Sequence, residues 1–261
     1  MTIVKQELRQ GWKNLAIWTG AIGFFMVVCV LLFPQMKTQA EDMSEAFASM
    51  GAFTAAFGMD RLNFGTLIGF YGIECGNVVG IGGGLFAAMI GIAALSKEER
   101  DHTAEFLLTH PIRRSRVLTE KLAALLIQVL LLNALVLLLS LGSMAVIGEE
   151  IPWREVGLMH LAFLLMQVEL VCVCFGLSAF LRRSSVGIGL GLAIGTYFMN
   201  LLANLSEDLE LLKYLTPYGY TEAAEIVTEQ CLDGEKVLIG MGLAGIGVAA
   251  AYIKYIRKDI H

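Results

Sequence analysis

Charge is scarce in this chain. Asp, Glu, Lys and Arg make up 16% of its 261 residues, where a water-soluble domain carries about 25%. Proline is scarcer still, with four residues in all, so few positions forbid helix. There are five cysteines; Cys29, Cys75, Cys172 and Cys174 fall in apolar runs and Cys231 in a polar one. Their spacing gives neither a disulfide framework nor a metal site, and buried cysteines of this kind act as small hydrophobes. No G-x-x-x-x-G-K-[ST] phosphate loop occurs. Gly82-Gly83-Gly84 is glycine-rich but no lysine follows it, so the chain does not bind ATP by that route. His102, His110, His160 and His261 are too dispersed to converge on a metal, which excludes a membrane-embedded metal hydrolase.

Apolar runs fill the space that charge leaves. Hydrophobic residues make up 56% of the chain, and a helix needs roughly 20 mainly apolar residues to cross a hydrocarbon core of about 30 Å. Six segments meet that, at approximately 15–33, 66–95, 121–147, 157–181, 186–205 and 237–256. The expected architecture is an all-α integral membrane protein, a single transmembrane domain over 1–261. The net charge of −5 becomes informative once it is sorted by side. Fourteen of the nineteen basic residues lie at the termini, in 96–121 and at Arg182-Arg183, whereas fifteen acids and five bases lie in the alternate loops. Basic residues stay in the cytoplasm. The termini, 96–120 and Arg182-Arg183 are therefore expected inside, and 34–65, 148–156 and 206–236 outside, in a multi-pass plasma-membrane protein. Lipid is an expected partner and nucleic acid is not.

Residues 1–14 carry Val4, Leu8 and Trp12 on one helical stripe, with Lys5, Arg9 and Lys13 beside it. The pattern predicts an amphipathic helix in the inner interface; its alternative is a plain extension of the first span, which Pro34 is expected to end. The second span holds Gly72, Gly76, Gly80 and Gly84 at four-residue steps, and the fifth holds Gly187, Gly191 and Gly195. Small residues in such register let helices approach closely, within a bundle or across a dimer. Glu74 and Glu169 are carboxyls inside spans, where no Lys or Arg pairs with them. They are either neutral, hydrogen-bonded acids holding helices together or groups lining a transport pathway. In 206–236, two short amphipathic stretches flank Thr216-Pro217-Tyr218-Gly219 and predict a helix, a break and a second helix, acting as a gate or a cap over the outer mouth.

The one dense polar island is LSKEERDHTAEFLLTHPIRRSRVLTEKLAALL, residues 95–126, between the second and third spans. A positive-inside anchor accounts for its arginines but not for Phe106-Leu107-Leu108. A docking helix accounts for both, with apolar residues for a partner groove and charges for registry. The run Glu99 to Arg114, followed by Lys121, resembles the signature of type-2 ATP-binding-cassette (ABC-2) permeases: an acid, a small residue and Thr, Glu with two apolar residues, Pro, Arg, then a lysine opening the next helix. His102 stands where that pattern has glycine. Six spans, the amphipathic N-terminus and Tyr214-Leu215-Thr216-Pro217-Tyr218 also resemble the family.

The resemblance implies a non-enzymatic transport subunit. Two such permeases, identical or related, would assemble with two cytosolic ATPase subunits, which would hold the ATP and Mg; no cofactor is expected in this chain. The 96–120 segment would be the coupling helix, with Glu105, Leu107, Leu108, Pro111 and Arg113 as its docking residues. The short outer loops favour export of a hydrophobic or amphipathic substrate such as a drug, an antimicrobial peptide or a lipid-like molecule. The rival reading is an ion-coupled secondary transporter using Glu74 and Glu169, which predicts repeat symmetry between halves; none is visible in the sequence.

Overall fold

A computed structural model describes residues 2–40, 50–100, 113–181 and 186–257. Regular structure among them is helical. The elements are α1 (Thr2–Lys37), α2 (Ala52–Ala56), α3 (Leu67–Phe70), a π turn (Tyr71–Cys75), α4 (Gly76–Arg100), α5 (Arg114–Ile147), α6 (Trp153–Ser178), α7 (Val186–Ala203), α8 (Ala223–Glu229) and α9 (Gly234–Ile256). Short 3-10 turns occupy Met59–Arg61 and Glu207–Tyr214. Six stretches of the described residues are long and apolar enough to cross a membrane: α1, the run Leu67–Leu95, α5, α6, α7 and α9. An even number of spans returns both termini to one face of the bundle.

α4 and α6 form the centre. The most apolar windows of Leu67–Leu95 and α6 are 61% and 67% buried, against 22–39% for the other four. The central pair packs together along its length; α1 and α5 pack on each other beside it, α7 lies against α4, and α9 lies against α6 and touches α5. The outer four spend large apolar side chains outward: Phe24, Leu138, Phe198 and Ile246 are all more than half exposed. Water would make that exposure costly at about 25 cal/mol per Å²; in hydrocarbon it costs nothing, so van der Waals fit decides the packing.

Fit at the helix crossings depends on glycine. A Cβ on Gly176 of α6 would lie 2.5 Å from the Gly247 carbonyl oxygen of α9, and one on Gly247 would lie 2.7 Å from the Cys172 carbonyl oxygen. No other residue allows two backbones that close. A Cβ on Gly91 of α4 would likewise lie 2.7 Å from the Val171 carbonyl oxygen of α6, and one on Gly189 of α7 would lie 2.8 Å from the Ala88 carbonyl oxygen of α4.

Three expectations are revised. Residues 2–14 form no separate in-plane helix; they are the first turns of α1, which runs unbroken to Lys37. Ile3 N donates to Glu120 Oε2 at 3.1 Å, and Glu7 pairs with Lys121, so these turns stay in line with α5. Pro34 does not end the helix but sits inside its last turn, where few later residues depend on the hydrogen bond it cannot make. The island's ends are helical too: α4 continues to Arg100 and α5 begins at Arg114. Thus 114–120 of the expected 96–120 segment belongs to α5.

Candidate functional site

The terminal face of the bundle is organised around the start of α5. Lys121 is 2% exposed, and its Nζ pairs with Glu7 Oε1 of α1 at 2.8 Å. It also donates to the Ala94 carbonyl of α4 at 3.0 Å. One ammonium therefore joins three helices, and it ties the helix entering the polar island to the helix leaving it. Arg114 Nη1 donates to the Ile256 carbonyl at 3.3 Å and lies 3.5 Å from that of Tyr255. These are last-turn carbonyls of α9, where a cation also suits the helix dipole. Thr119 Oγ1 and Tyr252 Oη lie 2.6 Å apart. The result is a collar in which α1, α4 and α9 all hold the base of α5. Arg113 is exposed just before this collar. Glu105, Leu107, Leu108 and Pro111 lie outside the described residues.

Deeper in the bundle lies a polar layer. Asn133 Nδ2 of α5 donates to Gln167 Oε1 of α6 at 2.8 Å, and Gln167 presses against Gly83 of α4. Gln167 Nε2, Asn133 Oδ1 and Thr19 Oγ1 of α1 are buried without a hydrogen-bond partner. Leaving polar atoms unpaired in hydrocarbon is costly, and the Asn133–Gln167 pair leaves one such atom on each side chain.

Glu169 is 3% exposed in α6. Its partner is not a cation but Tyr220 Oη, which donates to Oε2 at 2.8 Å. Burial pushes the Tyr220 hydroxyl's pKa up, and Glu169 beside it adds to the shift, so the phenol keeps its proton and serves as the donor. Gly240 of α9 gives the carboxyl room: a Cβ there would collide with it. Glu74 sits in the π turn, half-buried, and its carboxyl makes no hydrogen bond within the described residues. Nearby, Asn77 Nδ2 donates to the Ile73 carbonyl at 2.7 Å, and Asn77 Oδ1 accepts from Tyr197 Oη at 3.0 Å. π turns of this sort recur at functional positions.

Gly72, Gly76 and Gly80 line a polar cleft of about 70 Å³ on the face opposite the termini, together with Asn77, Tyr197 and Asn200. The first glycine series faces side chains and the outer segment rather than another helix backbone. Gly72 meets Ala223, Gly84 meets the Tyr218 hydroxyl, and Gly76 and Gly80 make ordinary contact with Phe163. In the fifth span, a Cβ on Gly191 or Gly195 would have nothing within 4 Å among the described residues. The outer segment is fixed by charge. Lys213 bonds Glu222 at 3.1 Å and Glu225 at 3.4 Å, and Lys236 bonds Glu225 and Asp233 at 3.1 and 3.2 Å. Burial raises the pKa of Glu222, while Lys213 opposes the shift. No cluster of three or more His, Cys, Asp or Glu able to hold a metal occurs among the described residues.

Sequence reasoning missed Lys121's partners, the Asn133–Gln167 pair and Tyr220. Glu7 lies 114 residues from Lys121, and Tyr220 lies 51 from Glu169. Nothing local marks either pairing.

The geometry describes a helical membrane bundle whose central helices run from a polar island at one face to an ion-paired cap at the other. The family model described as "ABC-2 family transporter protein" matches residues 1–260. The chain belongs to the ABC-2 transporter family. Comparison with curated proteins finds no match. As an ABC-2 membrane protein, it is the transmembrane part of a transporter, a role typically without enzymatic chemistry of its own. Association with ATP-binding-cassette ATPase subunits follows from that membership.

Proposed function

We infer that this ABC-2 permease exports a hydrophobic or amphipathic substrate, driven by two cytosolic ATPase subunits that bind ATP and Mg and dock on the island between α4 and α5. Glu105, Leu107, Leu108, Pro111 and Arg113 make the docking surface. The terminal face is cytoplasmic, because it carries the basic residues, and the membrane is the plasma membrane. A second permease, identical or related, completes the transporter, and the open Gly191 and Gly195 side of α7 suits close packing of such a copy.

The observation that carries this reading is the Lys121 junction. A pull on the island enters α4 and α5 together, because Lys121 holds both, and it enters α1 through Glu7. Helix α4 then carries the movement through Gly84, which meets Tyr218 near mid-span, toward the opposite face, where the adjoining Gly72 meets Ala223. Those contacts reach the segment that bonds Glu169. A handle, a rigid rod and a displaceable cap are the parts that ATP-driven alternating access requires. The test is reconstitution with the ATPase. Leu107→Ser/Leu108→Ser should insert normally yet abolish substrate-stimulated ATP hydrolysis, and wild-type stimulation in that variant would refute the docking site.

A further inference from the structure

Between α6, α7 and α9 runs an open groove of about 320 Å³, within the size range of small-molecule sites. α6 forms its floor. Its rim is apolar and exposed, with Leu177, Phe180, Leu215 and Ile246 between 39% and 66% accessible. Two lining side chains are polar, Glu169 and Thr196. Thr196 Oγ1 already donates to the carbonyls of Leu192 and Ala193. Among the described residues Glu169 accepts only from Tyr220, through Oε2, and Glu169 is part of the groove lining.

The polarity of the groove selects its occupant. Glu169 lies near the middle of α6, at the end of the groove shared with Leu215 and Pro217. Apolar walls run from there to Phe180, about 16 Å toward the terminal face by helical rise. A phospholipid headgroup at that face, beside Lys254 over Phe180, would send its chain ends toward Glu169 and leave the carboxyl facing hydrocarbon, an unfavourable match. A second copy of the chain would need a donor aimed at a recessed carboxyl. A molecule with a hydrogen-bond-donating cationic head and one apolar tail satisfies both ends, since a charged donor to a carboxyl makes the stronger class of hydrogen bond.

We propose that this groove is a binding site for an amphiphile bearing a protonated amine, held by Glu169 at the head and by the α6–α7–α9 walls along the tail. Its place in transport rests on the export reading above; the binding itself does not. The test therefore uses the full chain in phosphatidylcholine nanodiscs without any ATPase. Binding of radiolabelled dodecylamine, dodecanol and dodecanoate is measured against empty nanodiscs. Wild type should bind the amine saturably and at least tenfold more tightly than the alcohol, with the acid weakest. Glu169→Gln should reduce the amine to the alcohol's affinity. Ala250→Phe, which fills the groove from α9 and leaves Glu169 and Tyr220 in place, should weaken amine and alcohol alike. Equal binding of amine and alcohol by wild type, or an amine preference that survives Glu169→Gln, would overturn the site and leave a lipid-filled furrow. So would an Ala250→Phe variant that loses self-association while binding the amine normally, which would make the groove an interface between copies.

Discussion

Lys121 and Glu7 meet at 2.8 Å on the terminal face, and the same ammonium holds the Ala94 carbonyl. Removing one partner of a buried pair strands the other at a cost of about 3–5 kcal/mol. Glu7 is 23% exposed, so Lys121→Met should fall near the lower figure and reduce the melting temperature in detergent. Glu7→Gln keeps a hydrogen-bond acceptor but takes the countercharge from an ammonium that is 2% exposed, so it too should lower the melting temperature, by less than Lys121→Met. Both variants should transport less per ATP hydrolysed, because each weakens the tie between the base of α5 and α1. Unchanged coupling in Glu7→Gln, measured as substrate moved per ATP, would remove α1 from the transmission path.

The α6–α9 crossing makes a sharper structural prediction. Gly176→Val places side-chain carbon against the Gly247 carbonyl and must separate two helices; overpacking of this kind costs about 1–3 kcal/mol or more. Gly245→Val on α9, where nothing lies within 4 Å, should be nearly neutral. Thermal unfolding of the two variants side by side checks the contrast.

The outer cap should respond to pH through Glu222. Burial holds its carboxyl above the ordinary value of 4.5, against the pull of Lys213. A raised acid pKa means that the folded chain binds this proton more tightly than the unfolded chain does. The group's favourable contribution is therefore complete below pH 4.5 and is lost as pH rises through the raised value. Compared with Glu222→Gln, wild type should lose melting temperature across that window. Parallel profiles for the two proteins would show that Glu222 does not titrate as described.

Much of this architecture was legible in the sequence, for a definite reason. In a bilayer the helix is one of very few ways to satisfy backbone polar groups, so six long apolar runs leave little choice of fold. The close contacts were less legible. Gly187, Gly191 and Gly195 are in perfect four-residue register, yet a Cβ on Gly191 or Gly195 would meet nothing among the described residues. Gly91, Gly176 and Gly247, which carry the tightest crossings, belong to no such series. Register marks a smooth helix face but not what lies opposite it. Polar pairings were hidden for a related reason. Glu169 has no ion pair among the described residues, and its partner is a phenol from the outer segment. Lys121 stood out only as part of a linear signature, while its energetics depend on α1 and α4.

The most direct test of the account is site-directed cross-linking between the island and the motor. Single cysteines at 103–110, in a chain otherwise free of cysteine and co-expressed with its ATP-hydrolysing subunit, are treated with a short bifunctional reagent in native membranes. The account predicts a covalent permease–ATPase product that is strongest at Leu107 and Leu108, and whose yield changes when ATP hydrolysis is arrested. No product at any of these positions, from a chain that still transports, would contradict it.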